Sequence, residues 1–287
     1  MMTSYPTTFV TAFVQIYGTK KEDPIFGGRD SEWRYAHFRT LAESGVPLCV
    51  YVDIEEHERM LKFAEEFCNI HVRLTKPLHE TWAHRIYDKH KQTSITMPEQ
   101  AHAEKDTESY LLLIMAKTEW VADVARSNPW NTPQFAWIDF SIGYVLRDIP
   151  RCQSELHRIA GTVLPPKSLY IPGCSPYYDP FPARVAQLSA DELRAECPVV
   201  LESPCWRFCG GLFVGDTAAI LEFDDLSRTL FPIFLCKYRR LVWEVNYWAW
   251  LESAADPAWK PIWYRADHND TMLTEFPHMK TKAEAQL

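Results

Sequence analysis

The chain of 287 residues has no block of lysine and arginine, and its 30 basic against 38 acidic side chains leave a formal net charge of −8. General binding to nucleic acid needs many phosphate-neutralising cations and is therefore not expected, although a local basic pocket remains open. No apolar run approaches the roughly 20 residues of a membrane-spanning helix, so no transmembrane segment is expected. Eight cysteines are too sparse for a disulfide framework, and the first residues lack a signal-peptide pattern. Reduced thiols in a cytoplasmic protein are the expectation. Cys197, Cys205 and Cys209 could share a zinc ion, but no second close pair or histidine follows at finger spacing. The chain also lacks internal repeats, low-complexity segments, a phosphate-cradling glycine-rich loop, a Gly-x-Ser-x-Gly elbow and a His-Glu-x-x-His helix, which removes several enzyme classes.

What is present is an aromatic-rich globular sequence. Hydrophobic residues make up 47% and charged residues 24%, and the 11 Trp, 13 Tyr and 15 Phe exceed what a core usually needs. The surplus is read either as an aromatic-rich core or as platforms in a cleft that receive a flat base or sugar ring.

The pattern along the chain alternates strand and helix. Thr8 to Val14 reads as an opening strand, followed by a polar loop from Tyr17 to Asp30 and a helix from Ser31, with Ser31 as its cap and Gly45-Val46-Pro47 as its stop. A buried strand follows at Pro47 to Val52, then helical spacing at Met60, Phe63, Ala64 and Phe67, then a strand at Ile70 to Leu74. This order predicts a parallel sheet with crossover helices. Residues 76–106 read as a polar connection with short helical patches, and a strong helix begins at Thr107 or Ser109. The proline-rich stretch containing Pro165-Pro166, Pro172-Gly173, Pro176, Pro180 and Pro182 predicts irregular structure. Beyond it come a strand after Gly210-Gly211, a helix from Thr217 to Phe223 capped by Asp216, a longer helix from Leu230 to Glu252, and a last strand ending at Asp267-His268.

Five features break these patterns. Pro133 to Gly143 is an almost unbroken apolar run, read as a strand buried on both faces, and Asp139 is its one charge. A carboxylate there must be paired, hydrogen-bonded, metal-bound or set at the sheet's ligand-binding end; pairing with Arg147 is the bland alternative. Lys117 has Leu113, Ile114, Trp120 and Val121 as its helical neighbours, so it either snorkels to water or points at the crevice beside Asp139. Gly210 and Gly211 mark a turn, or backbone that a ligand approaches closely. Glu244 stands on an aromatic helical face, explained either by an ion pair with Arg240 or by a role as base or acceptor contact. With His268 these residues form a coherent set for group transfer from an anionic donor, whose leaving diphosphate needs a counter-charge. Asp139 and His268 could supply ligands to Mn²⁺ or Mg²⁺, with Lys117 as a further positive charge.

Thr8-Phe9-Val10-Thr11-Ala12-Phe13, Ser109-Tyr110 with Lys117 seven residues on, Phe135-Ala136-Trp137-Ile138-Asp139-Phe140 and Cys209-Gly210-Gly211 resemble the HtrL/YibB-type (WlaTC/HtrL) glycosyltransferases of bacterial surface-polysaccharide loci and some large DNA viruses. The resemblance spans residue 8 to about 265. It implies an α/β fold of GT-A-like kind: a mostly parallel Rossmann-type sheet flanked by helices, with an irregular acceptor-side portion. In that reading residues 1–287 form a single domain, with 1–145 the nucleotide-sugar-binding half and 146–287 the acceptor-side half. It further implies that Asp139 takes the place of the metal-binding acidic motif, and that Thr11, Ala12, Phe13, Tyr51 and Asp53 line the nucleotide pocket. The implied partners are a nucleotide-sugar donor, expected to be a UDP-sugar, and a glycan or glycoprotein acceptor. Two departures stand out: one Asp where many such enzymes carry two, and Ser141 where Gly is expected. A carbohydrate- or nucleotide-binding protein without catalysis, and a metal-dependent nucleotide-sugar hydrolase, are the alternative functions.

Overall fold

The structure is a computed structural model that describes residues 5–16, 30–99, 101–102, 106–174, 188–196 and 199–279. In chain order the elements are β1 (Thr7–Phe13), α1 (Ser31–Glu43), β2 (Leu48–Val52), α2 (Ile54–Ala64), β3 (Ile70–Leu74), α3 (Trp82–His90), α4 (Glu108–Met115), α5 (Lys117–Ser127), β4 (Gln134–Ile138), α6 (Ile149–Gly161), β5 (Leu169–Gly173), α7 (Ala190–Glu196), α8 (Val199–Glu202), β6 (Leu212–Asp216), α9 (Thr217–Tyr238), α10 (Glu244–Ala254), β7 (Ile262–Arg265) and α11 (Thr271–Thr274).

Seven strands form one sheet in the order β3-β2-β1-β4-β6-β5-β7. The pairs β1-β2, β1-β4, β2-β3 and β5-β7 are parallel, whereas β6 runs antiparallel to both β4 and β5. This is the α/β architecture expected from the sequence, a mostly parallel sheet with helices on both faces. Period-two alternation assigns the strand residues to two cores. Val10, Tyr51, Phe135, Trp137 and Phe213 belong to the core that includes side chains of α3, α4, α5, α9 and α10. Phe9, Phe13, Val50, Ala136, Ile138 and Leu212 belong to the opposite core with α1, α6 and α11. Trp137 and Asp139, two residues apart, therefore share the face that α5 covers.

Several local expectations are corrected. Asp30, not Ser31, caps α1 by accepting from Trp33 N, which leaves the Ser31 hydroxyl to donate to Glu56. Within 76–106, residues Trp82–His90 form a regular helix, because Trp82, Ala83 and Tyr87 bury one face while polar residues take the other. The helix expected from Thr107 is two helices that meet at Ala116, with Thr107 capping the first. α9 runs unbroken from its Asp216 cap through Pro232 to Tyr238. Arg239 then turns left-handed at φ 49°, and Thr96 pins the following segment through Leu241 N to Thr96 O at 2.9 Å, so α10 begins only at Glu244. Residues 17–29 of the loop read at Tyr17 to Asp30, part of the proline-rich stretch and the end of the tail lie outside the described residues. Among the described residues no helix is long and apolar enough to cross a membrane.

Candidate active site

A cleft of about 350 Å³ opens where the C-terminal ends of β1 and β4 meet the start of β6. β1 has β2 on one side and β4 on the other, so the strand order reverses there, and open α/β sheets bind ligands at such a point. Ala12 and Phe13 line the cleft from β1, Lys117 and Trp120 from α5, Trp137 from β4, Asp139 from the segment just beyond it, and Glu244 from α10. Gly210, Gly211 and His268 close it from the side of β6 and β7.

Strand register positions Asp139. Ile138 lies opposite Leu212 in the β4-β6 ladder, and Asp139 N continues it by donating to Gly211 O at 3.0 Å. The Asp139 carboxylate shares a face with Trp137 and accepts from its indole Nε1 at 2.8 Å. Its ion partner is Lys117, with Nζ to Oδ1 at 3.0 Å, and not Arg147.

Lys117 is the centre of the arrangement. Because α5 starts at this residue, the side chain leaves the helix at its N-terminal end and runs into the cleft floor instead of snorkelling to water. Its ammonium also donates to Glu244 Oε1 at 2.7 Å and to the Gly210 carbonyl at 2.9 Å. An ammonium has three N–H groups, so these contacts use all of them. In this conformation the residue is a strut joining Asp139, Glu244 and the Gly210 backbone. Burial alone would push the ammonium's pKa down, but Asp139 and Glu244 outweigh it and hold Lys117 above the ordinary lysine range.

Glu244 pairs with Lys117 and not with Arg240, whose guanidinium meets Glu202 Oε1 at 2.6 Å. With its side chain 8% exposed and one oxygen held by an ammonium, Glu244 is better suited to fixing Lys117 than to collecting a proton. Gly210 is required by this packing, since a Cβ there would collide with Glu244 Oε1. A Cβ on Gly211 would sit 3.2 Å from Ile142 Cδ1 and 3.4 Å from His268 Cε1, so that backbone also faces the cleft directly.

Three residues expected in the nucleotide pocket are not in its wall. Thr11 is fully buried in β1. Tyr51 donates its hydroxyl to Asp123 and stacks on Trp120, which in turn stacks on Trp137, so it buttresses the wall from one layer behind. Asp53 caps α2 and accepts from Gln15 N, and Gln15 is the residue that reaches the cleft. Sequence reasoning missed Arg34, Asp106, Tyr110 and Trp206, which also line the cleft. Trp206 is 43% exposed at the rim, its ring centroid 6.1 Å from that of His268. An exposed tryptophan beside a turn is visible in the sequence, but its place beside His268 depends on the pairing of distant strands.

Among the described residues the cleft wall carries two cations, Lys117 and Arg34, against three carboxylates, Asp106, Asp139 and Glu244. A diphosphate entering this field meets a surplus of negative charge, with the one deeply buried ammonium already shared by two carboxylates. A divalent ion brought with the diphosphate fits that deficit. The donor set offered is one carboxylate and one imidazole, Asp139 and His268, suited to Mn²⁺ or Mg²⁺ only if phosphate oxygens and water complete the shell. No group of three His, Cys, Asp or Glu side chains among the described residues gathers as an all-protein metal site. Of the cysteines that could share a zinc ion, Cys209 hydrogen-bonds to Cys174, and Cys197 is outside the described residues.

No family model matches the chain, and no curated protein matches it. Among solved structures, the apo form of mouse xyloside xylosyltransferase 1 is similar over 91% of this chain and 84% of its own length, at 12% identity and a TM-score of 0.43. The 4-diphosphocytidyl-2C-methyl-D-erythritol synthase of Anaerococcus prevotii is similar over 84% of this chain and 94% of its own, at 8% identity and a TM-score of 0.37. Similarity at this level does not identify the reaction of this chain.

Proposed function

We propose that the chain is a nucleotide-sugar-dependent glycosyltransferase of the HtrL/YibB type, moving a sugar from a nucleoside diphosphate sugar, a UDP-sugar first among them, to a hydroxyl of a glycan or glycoprotein. The observation that carries this reading is the convergence of Asp139, His268 and the Lys117-Glu244 strut at the sheet's switch point, in a wall short of positive charge. Asp139 and His268 would hold Mn²⁺ or Mg²⁺ together with the donor, and the ion would supply the counter-charge for the departing diphosphate. Lys117 keeps Asp139 aimed, and Glu244 keeps Lys117 in place. Trp137 and Trp120 form the flat wall against which a ring packs and from which water is excluded.

The saturated ammonium and the single acidic residue at the strand end favour, as a second reading, a protein that binds nucleotide sugars without turning them over. A nucleotide-sugar hydrolase has less support, because no carboxylate cluster for two metals gathers among the described residues. Product analysis with a labelled donor separates the three. Label in an acceptor glycan is the result expected here, free sugar without acceptor indicates hydrolysis, and intact donor with measurable binding indicates a binding protein.

A further inference from the structure

Behind the two glycines of the cleft lies a pair of thiols that this function does not use. Cys174 follows β5 and is partly exposed, while Cys209 immediately precedes Gly210 and is buried; both are free. Their sulfurs are 3.2 Å apart. Two backbone hydrogen bonds keep them side by side: Cys209 N donates to Pro172 O at 2.7 Å, and Cys174 N to Trp206 O at 3.0 Å. Gly173 lets the two backbones approach this closely, since a Cβ there would collide with the Arg207 carbonyl. Bringing the sulfurs from 3.2 Å to a disulfide length of about 2.05 Å requires a shift of only about 1.1 Å.

We infer that Cys174 and Cys209 form an oxidation site, a thiol pair that peroxide converts to a disulfide and that thereby resets the Gly210 carbonyl on which Lys117 is anchored. Cys174, the accessible partner, gives up its proton and attacks a peroxide oxygen as thiolate; the O–O bond breaks, Cys174 becomes a sulfenic acid, and the departing hydroxide takes up the thiol's proton and leaves as water. Cys209 then attacks that sulfur, the S–S bond forms, and the hydroxyl departs as a second water carrying the Cys209 proton. Two thiols are oxidised and one hydrogen peroxide is reduced. The consequence for the cleft follows from chain connectivity. Cys209 and Gly210 share a peptide bond, and the Gly210 carbonyl takes one of the three Lys117 hydrogen bonds. Displacing Cys209 therefore disturbs the strut that holds Asp139. The exposed thiols Cys68 and Cys236 have no such arrangement with the glycines.

The disulfide itself does not depend on the proposed function, whereas its effect on donor binding does. The test treats the reduced full chain with stoichiometric hydrogen peroxide and maps its peptides by mass spectrometry. The thermal shift given by UDP-sugars with Mn²⁺ is then measured before oxidation, after it, and after dithiothreitol. The expected result is a Cys174–Cys209 linked peptide lighter by two hydrogens, with a shift that is lost on oxidation and restored by reduction. In Cys174→Ser and Cys209→Ser, checked by circular dichroism for folding, the shift should survive peroxide. Higher oxides at Cys174 with no linked peptide overturn the site. A linked peptide with an unchanged shift overturns the coupling to the cleft. A reduced wild type that shifts with no nucleotide sugar overturns that coupling together with the transferase reading, while the mass data still decide the disulfide.

Discussion

Replacing Lys117 by Met removes the ammonium of the strut and keeps an unbranched apolar side chain one heavy atom shorter. It strands Glu244, whose side chain is 8% exposed, without a cation, whereas Asp139 at 35% is partly screened by water. Most of the penalty therefore falls on Glu244. Breaking a buried pair from one side costs about 3–5 kcal/mol. For 287 residues at about 2.1 cal/mol/K each, the unfolding entropy is about 0.6 kcal/mol/K, so Tm should fall by about 5–8 °C. Glu244→Gln alone leaves Lys117 with Asp139 and the Gly210 carbonyl and should cost less, about 1.5–3 kcal/mol. The double variant should recover about 1–3 kcal/mol relative to the sum, because the uncompensated carboxylate is gone. Urea unfolding of the four proteins measures this coupling. Additivity within about 0.5 kcal/mol would show that the pair is not energetically linked and would refute the strut.

Gly210→Ala should destabilise by about 1–3 kcal/mol, as overpacking does, because its Cβ meets Glu244; Gly211→Ala should cost less, since Ile142 and Met272 can give way. Denaturant midpoints rank the two. Trp206→Ala should change stability by no more than about 0.5 kcal/mol, as expected for an exposed site, while raising the acceptor KM and leaving donor binding unchanged; an unaltered acceptor KM would remove Trp206 from the acceptor side. Tyr51→Phe should cost about 1 kcal/mol through the lost bond to Asp123 yet leave nucleotide affinity intact, because Tyr51 stands behind the wall. The raised pKa of Lys117 makes its contribution to stability fully present below the unfolded lysine value of about 10.4 and lost as pH rises through the folded value. The stability difference between wild type and Lys117→Met should thus shrink only in strong alkali; shrinkage as pH rises across neutrality would contradict an ionised Lys117.

The strands and the parallel character of the sheet's first half were legible because their signals are local: β-branched runs at Thr8 to Val14 and Pro47 to Val52, and an apolar run that a single Asp ends. Lys117, Asp139 and Glu244 stood out for the same reason, each a charge on an apolar pattern. Their partners did not. Arg147 for Asp139 and Arg240 for Glu244 are the nearest cations in sequence, but the fold brings Lys117 to both through the α5 start and the α10 start. Thr11, Tyr51 and Asp53 stand outside the wall because motif position says which strand end a residue occupies, not whether its side chain is buried in the strand, stands a layer behind the wall or caps the next helix. The helix of residues 82–90 was missed because its buried face is short and interrupted by His and Arg. The end of α9 was obscured by Pro232, which the helix absorbs, while the true stop is a left-handed Arg239 that carries no glycine signal.

The central claim is that Asp139 holds a divalent ion on a nucleoside diphosphate sugar. Thermal shift of the reduced wild type and of Asp139→Ala across a panel of nucleotide sugars, with and without Mn²⁺, tests it most directly. A ligand at a hundred times its Kd should contribute about 2.7 kcal/mol of stability. The account predicts a shift from one nucleotide family that requires Mn²⁺ and disappears in Asp139→Ala. A shift that persists in Asp139→Ala, or its absence for every nucleotide sugar with the wild type, would contradict it.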